Sequence, residues 1–155
     1  MLRKIVPAAA LVLYGSCAGC TTQKPEWTTA RAEPFALSVE YPPALFPNGF
    51  LSRASHNAEW IFGPYQGGTS LLLQASTIDS DETPYRAACA TNCSGETYHR
   101  DEPSLGISAG HIGDKIFFSK CLRAGQEMHC LHVIYPAAES ATYAEAVEHL
   151  SESLR

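Results

Sequence analysis

The sequence predicts an α+β fold: a mainly antiparallel sheet of about six strands, with a C-terminal amphipathic helix packed on it. Three observations carry this expectation. Apolar residues alternate with polar ones in several short runs bounded by Pro, Gly and Asp. Gly125-Gln126 sits between the two longest runs as a tight hairpin turn. Tyr143, Val147, Leu150 and Leu154 fall at spacings of four, three and four, which is one face of a helix.

Taken in order, the first strand is Phe35 to Tyr41, where Phe35, Leu37, Val39 and Tyr41 alternate with smaller or charged residues until Pro42-Pro43 ends it. Residues 44–56 read as a turn-rich connection. Its Leu45, Phe46, Phe50 and Leu51 either plug the end of the core or form an exposed apolar lip. Residues 58–62 and 69–77 are two strands joined by the loop from Gly63 to Gly68. Asp79, Asp81 and Glu82 read as a solvated turn, because the run lacks the glycine and the glutamate that a calcium loop requires. A short helix follows over 84–90, with Thr83 as its cap and Pro84 at its first position. Leu105 to Gly110 is a strand, Gly113-Asp114 a turn, and 115–123 and 127–136 the arms of the last hairpin. Ile116, Phe118, Leu122, Leu131, Val133 and Tyr135 form its core face, with Lys120 and His129 on the same side. Thr142-Tyr143-Ala144-Glu145 reads as a capping box for the helix 142–154, and Glu145, Glu148 and Glu152 take its wet side.

The opening strand from Phe35 to Pro42 ends in Tyr-Pro, the closing strand reads Cys130-Leu131-His132-Val133-Ile134-Tyr135-Pro136, and the last helix ends in Ser151-Glu152-Ser153-Leu154. In these features residues 35–155 resemble the PsbP-like α/β/α sandwich, a fold also found in small bacterial lipoproteins. The resemblance implies a binding or accessory role more often than an enzyme, although a fold by itself does not set function.

The N-terminus has its own logic. Arg3 and Lys4 precede an apolar run from Ile5 to Leu13, the n- and h-regions of a secretory signal. Cys17-Ala18-Gly19-Cys20 then resembles the lipobox of bacterial lipoproteins, with Cys17 where Leu is usual. That resemblance implies cleavage before Cys20 and acylation of its sulfur and amine, and two or more chains suffice for stable membrane anchoring. Because Thr21 is not Asp, it also implies sorting to the outer membrane, facing the periplasm. The expected organisation is a signal peptide over 1–19, a lipid anchor and flexible tether over 20–34, and one disulfide-stabilised domain over 35–155.

Cleavage leaves 136 of 155 residues, enough for one domain with a real core. It also removes Arg3 and Lys4, leaving nine basic against sixteen acidic residues. Such a balance argues against a nucleic-acid partner and against charge attraction to anionic headgroups. The membrane partner is therefore reached through the lipid at Cys20, and a protein partner in the envelope is expected.

Cleavage discards Cys17 and consumes Cys20, leaving Cys89, Cys93, Cys121 and Cys130. Four cysteines allow three connectivities. The Gly125-Gln126 turn puts Cys121 opposite Cys130 at a non-hydrogen-bonded pair, where Cα atoms lie about 4.5 Å apart and a disulfide can form. Cys89 is then left with Cys93. The Cys-x₃-Cys and Cys-x₈-Cys spacings suit neither a zinc site nor a thiol oxidoreductase. His129 and His132, three apart on a strand, point to opposite faces, and His56, His99 and His111 fall in expected loops. No metal and no cofactor are expected.

Gly106-Ile107-Ser108-Ala109-Gly110 matches the Gly-X-Ser-X-Gly nucleophile elbow. The elbow needs a helix immediately after the serine turn, whereas here another turn and strand follow, and the chain is short for such a hydrolase. The expected function is thus a non-catalytic, lipid-anchored envelope protein with a binding or accessory role. The alternative is an inhibitor or immunity protein acting on an enzyme of the same compartment. A small serine hydrolase using Ser108 is the weakest of the three.

Overall fold

The structure is a computed structural model, and it describes residues 25–63, 68–78, 81–90 and 93–155. The signal peptide, the lipobox with Cys20, and Asp79 lie outside the described residues, as does most of the loop between Gly63 and Gly68.

Nine strands and two α-helices are described: β1 (Thr28–Arg31), β2 (Ser38–Tyr41), β3 (Phe50–Arg53), β4 (Asn57–Phe62), β5 (Ser70–Thr77), α1 (Pro84–Cys89), β6 (Glu96–Glu102), β7 (Leu105–Ile112), β8 (Lys115–Ala124), β9 (Glu127–Pro136) and α2 (Ser140–Ser153). Seven strands form one antiparallel sheet in the order β3-β4-β5-β9-β8-β7-β6, and β1 pairs with β2 in a second, two-stranded sheet. The fold is α+β, with α2 on one face of the large sheet and α1 on the other.

Period-2 alternation fills both faces. Leu71, Leu73, Leu131, Val133 and Tyr135 point to one side and meet Tyr143, Ala146, Leu150 and Leu154 of α2 and the chain end. Lys120 shares that side. Its Nζ donates to the Ser151 carbonyl at 2.5 Å, satisfying an oxygen at the end of α2. Burial pulls its ammonium below the usual lysine range. On the other side Ala88 of α1 covers Cys121, Met128 and Cys130. The last hairpin has the expected register: Ala124 pairs with Glu127, Cys121 with Cys130, and Gly125 carries the turn at φ 66°.

Several expectations need correction. The described part of the tether, residues 25–34, is not a tether. β1 pairs with β2, Ala30 and Ala32 are buried, and Trp27 stacks on His149 at 3.8 Å. Two small alanines anchor this segment, and small residues leave no visible hydrophobic period. Residues 44–56 are not all connection, because β3 forms the sheet edge there. Phe46 plugs the core while Phe50 is 49% exposed, so both readings of that stretch hold for different residues. His99 and His111 lie on β6 and β7 rather than in loops. The capping box does not form: a 3₁₀ turn (Ala137–Glu139) precedes α2, which starts after Glu139 without a side-chain cap.

Candidate functional site

The Gly-X-Ser-X-Gly motif lies in the middle of β7, and its spacing of two puts Gly106, Ser108 and Gly110 on one face. A Cβ on Gly106 would strike the Pro84 and Tyr85 backbone at the start of α1. One on Gly110 would strike the Gly95 carbonyl in the 3₁₀ turn Cys93–Gly95. The two glycines are there so that α1 and that turn can rest directly on the strand.

Ser108 is wholly buried, and its hydroxyl donates to Glu96 Oε2 at 2.6 Å. The Tyr85 hydroxyl donates to both carboxylate oxygens, at 3.0 and 3.2 Å, and His99 Nδ1 lies 3.0 Å from Oε1. The bond from Ser108 and that from Tyr85 hold the Glu96 carboxyl below its usual range, against an opposing contribution from burial. The Tyr85 phenol moves the other way, raised by burial and by the carboxylate it bonds.

This wiring decides what the cluster can do. A serine nucleophile needs histidine between itself and the acid. Here the acid stands between serine and histidine, and an easily ionised carboxylate is a poor base for a hydroxyl. No strand-to-helix elbow exists at Ser108, which sits on a straight ladder between β6 and β8. The motif is a packing device with a carboxylate post at its centre.

The cysteines divide between two settings. Cys121 and Cys130 are buried between central strands with Cα atoms 4.1 Å apart. Cys89 ends α1 and Cys93 opens the 3₁₀ turn, with Cα atoms 5.1 Å apart at the surface. Both pairs stand at disulfide distance. Glu96 escaped sequence reasoning and His99 was expected in a loop because β6 reads Glu-Thr-Tyr-His-Arg-Asp-Glu, without apolar alternation; Tyr85, on α1, carried no signal of its own. β6 is an edge strand, and charge is how such edges are kept from pairing with other chains.

A row of paired residues crosses the whole sheet on this face: Phe50, Ile61, Leu72, His132, Ser119, Ser108 and His99. Its character changes along the way. Ser108, Ser119 and His132 are buried, while Ile61 and Leu72 are half-buried and Phe50 is exposed. Ile61, Leu72 and Ile134 line a groove of ≈ 350 Å³ together with Lys115 and Glu59. Among the described residues, α1 covers one end of this face and no helix covers the other.

No family model matches the chain, and no curated protein matches it. Among solved structures it is similar to the solution structure of cyanobacterial PsbP (CyanoP) from Synechocystis sp. PCC 6803. The TM-score is 0.54 and the identity 12%, and the match covers 92% of this chain and 98% of the other. The PsbP-like fold is therefore present, and the likeness is one of fold.

Proposed function

We propose that the protein is a lipid-anchored envelope protein with a non-catalytic binding or accessory role, docking a protein partner on the open end of its large sheet. The observation that carries this reading is the row Phe50–Ile61–Leu72, an apolar cross-strand ladder that no described helix covers. The half-buried Ile134 adds to the same patch. The wiring of Ser108 supports the non-catalytic part, and the lipobox-like Cys17-Ala18-Gly19-Cys20 supports anchoring at Cys20. No helix among the described residues is long and apolar enough to cross a membrane.

Anchoring is tested by fractionating cells that express wild type or Cys20→Ala, with mass spectrometry of the N-terminal peptide. Wild type should sediment with membranes as an acylated peptide, and Cys20→Ala should become soluble. Membrane retention of the variant would defeat the anchor. Binding is tested by crosslinking in intact cells: a discrete stoichiometric partner captured by wild type should be lost with Phe50→Ser/Leu72→Ser. Capture unchanged by that variant would remove the sheet face from the proposal.

A second reading, an inhibitor of a basic enzyme, draws on Asp81, Glu82, Asp101 and Glu102, which line one pocket. It requires that capture be equal for wild type and Cys20→Ala, and that the captured enzyme lose activity.

A further inference from the structure

Three consecutive elements bring metal-ligating side chains together beside Ser108. Cys89 ends α1, Cys93 opens the 3₁₀ turn and Glu96 begins β6; one ligand atom of each lies within 4.8 Å of the others. On a regular strand Glu96 and His99, three residues apart, would point to opposite faces. A bulge between Glu96 and Tyr98 changes that, pairing Glu96 with Gly110 and His99 with Ser108, two residues on the same face of β7. His99 Nδ1 accordingly reaches to 3.0 Å from Glu96 Oε1, joining the site through that carboxylate while the two sulfurs and Glu96 form the group within 4.8 Å. The Tyr85 and Ser108 hydroxyls grip the carboxylate from behind, in the manner of the outer partners that orient metal ligands.

The setting of each cysteine pair decides which one chemistry can reach. Cys121 and Cys130 are 0% and 3% exposed in the middle of the sheet. Cys89 is half-buried and Cys93 exposed, and their bond closes a loop of sequence separation 4, against 9 for the buried pair. A shorter loop removes less entropy from the unfolded chain, and exposed disulfides are the labile or regulatory ones.

We propose that Cys89, Cys93, Glu96 and His99 form a redox-gated site for a thiophilic divalent cation such as Zn²⁺, closed while the Cys89–Cys93 disulfide stands and opened by its reduction. A thiol reductant delivers two electrons and two protons to the S–S bond; two thiols form, and the reductant leaves as its own disulfide. The cation then displaces both thiol protons. It gains two thiolates, one carboxylate and one imidazole, the four-coordinate donor types zinc accepts. Thiolates select against Mg²⁺ and Ca²⁺. This inference stands apart from the anchoring and docking reading above.

The test uses the full-length protein in mild detergent, titrated with Zn²⁺ against a chromophoric chelator and, separately, with Co²⁺. Each titration is run before and after reduction by a water-soluble phosphine, which ends as its oxide with oxygen taken from water. After reduction, wild type should bind one more equivalent of Zn²⁺ than Cys89→Ser/Cys93→Ser, and Co²⁺ should give thiolate-to-metal charge-transfer absorption that the double variant lacks. Before reduction the two proteins should bind alike. Glu96→Gln and His99→Ala should each weaken Zn²⁺ binding about tenfold or more, with unchanged far-UV circular dichroism. The proposal is overturned if the phosphine leaves the pair oxidised in the folded protein, if reduced wild type and double variant bind alike, or if either single variant keeps full affinity.

Discussion

His132 shows how one residue imposes a pH limit on the fold. It is buried in β9 with Nδ1 2.9 Å from the Ser119 hydroxyl, and burial pulls its pKa down from 6.5 to about 4. Between those values the unfolded chain holds a proton at this imidazole that the folded chain refuses. Its contribution to stability is therefore intact above pH 6.5 and lost as pH falls toward 4, about 3 kcal/mol across the window. Urea denaturation from pH 7.5 to 4 should show this loss in wild type, and His132→Gln should flatten that part of the profile. Equal slopes for both proteins would show that His132 is not the group responsible. Gly106 makes a steric point instead. Gly106→Ala drives a methyl into the backbone of Pro84 and Tyr85, so α1 must lift from β7. A cost of about 1–3 kcal/mol in chemical denaturation is expected, as for other overpacked sites. A neutral result would mean that α1 is not held against this strand.

Among the elements, the small β1–β2 sheet has the most consequence for architecture. The Ser38 N–H donates to the Arg155 carbonyl at 3.1 Å and Arg155 N–H returns to Ser38 at 3.2 Å, so the chain end docks along β2. Trp60 Nε1 donates to the Arg31 carbonyl at 2.7 Å, tying β1 to the large sheet. Deleting residues 25–34 should lower the thermal midpoint by several degrees, because a loss of about 1 kcal/mol moves a domain of this size by roughly 3–6 °C. A true tether would leave the midpoint unchanged. The same elements show what periodicity can reveal. β4, β5, β8 and β9 were legible because each puts alternate residues into a deep core, and α2 because its stripe faces that core. β1, β3 and β6 were not. β1 buries only small residues, β3 is four residues at an edge, and β6 is charged along its length. Alternation is selected where one face is buried and the other wet; a strand exposed on both faces, or one that buries only small residues, carries little of it.

On the scale of the whole molecule, the two cysteine pairs do different work. Cys121–Cys130 joins central strands in the part of the sheet that α1 covers. Cys121→Ala/Cys130→Ala should cost about 2–4 kcal/mol. Cys89→Ser/Cys93→Ser, at the surface, should cost clearly less. Parallel guanidinium melts of the two double variants compare them directly, and an equal cost would place both pairs in the same structural role.

The sequence by itself determined the α+β class, the order of the well-buried strands, the register of the last hairpin with Cys121 opposite Cys130, and the stripe of α2. All of these rest on local geometry: a turn sets its own register, and a buried face imposes its own period. Tertiary structure alone decided that residues 28–32 belong to the domain, what Gly106 and Gly110 are for, and that Glu96, Tyr85, His99 and Ser108 form one cluster. Those facts depend on a helix lying across a strand and on one bulge turning His99 to the face of Glu96. A one-residue irregularity reverses which side chains share a face, and it leaves no mark in composition or spacing that could be read in advance.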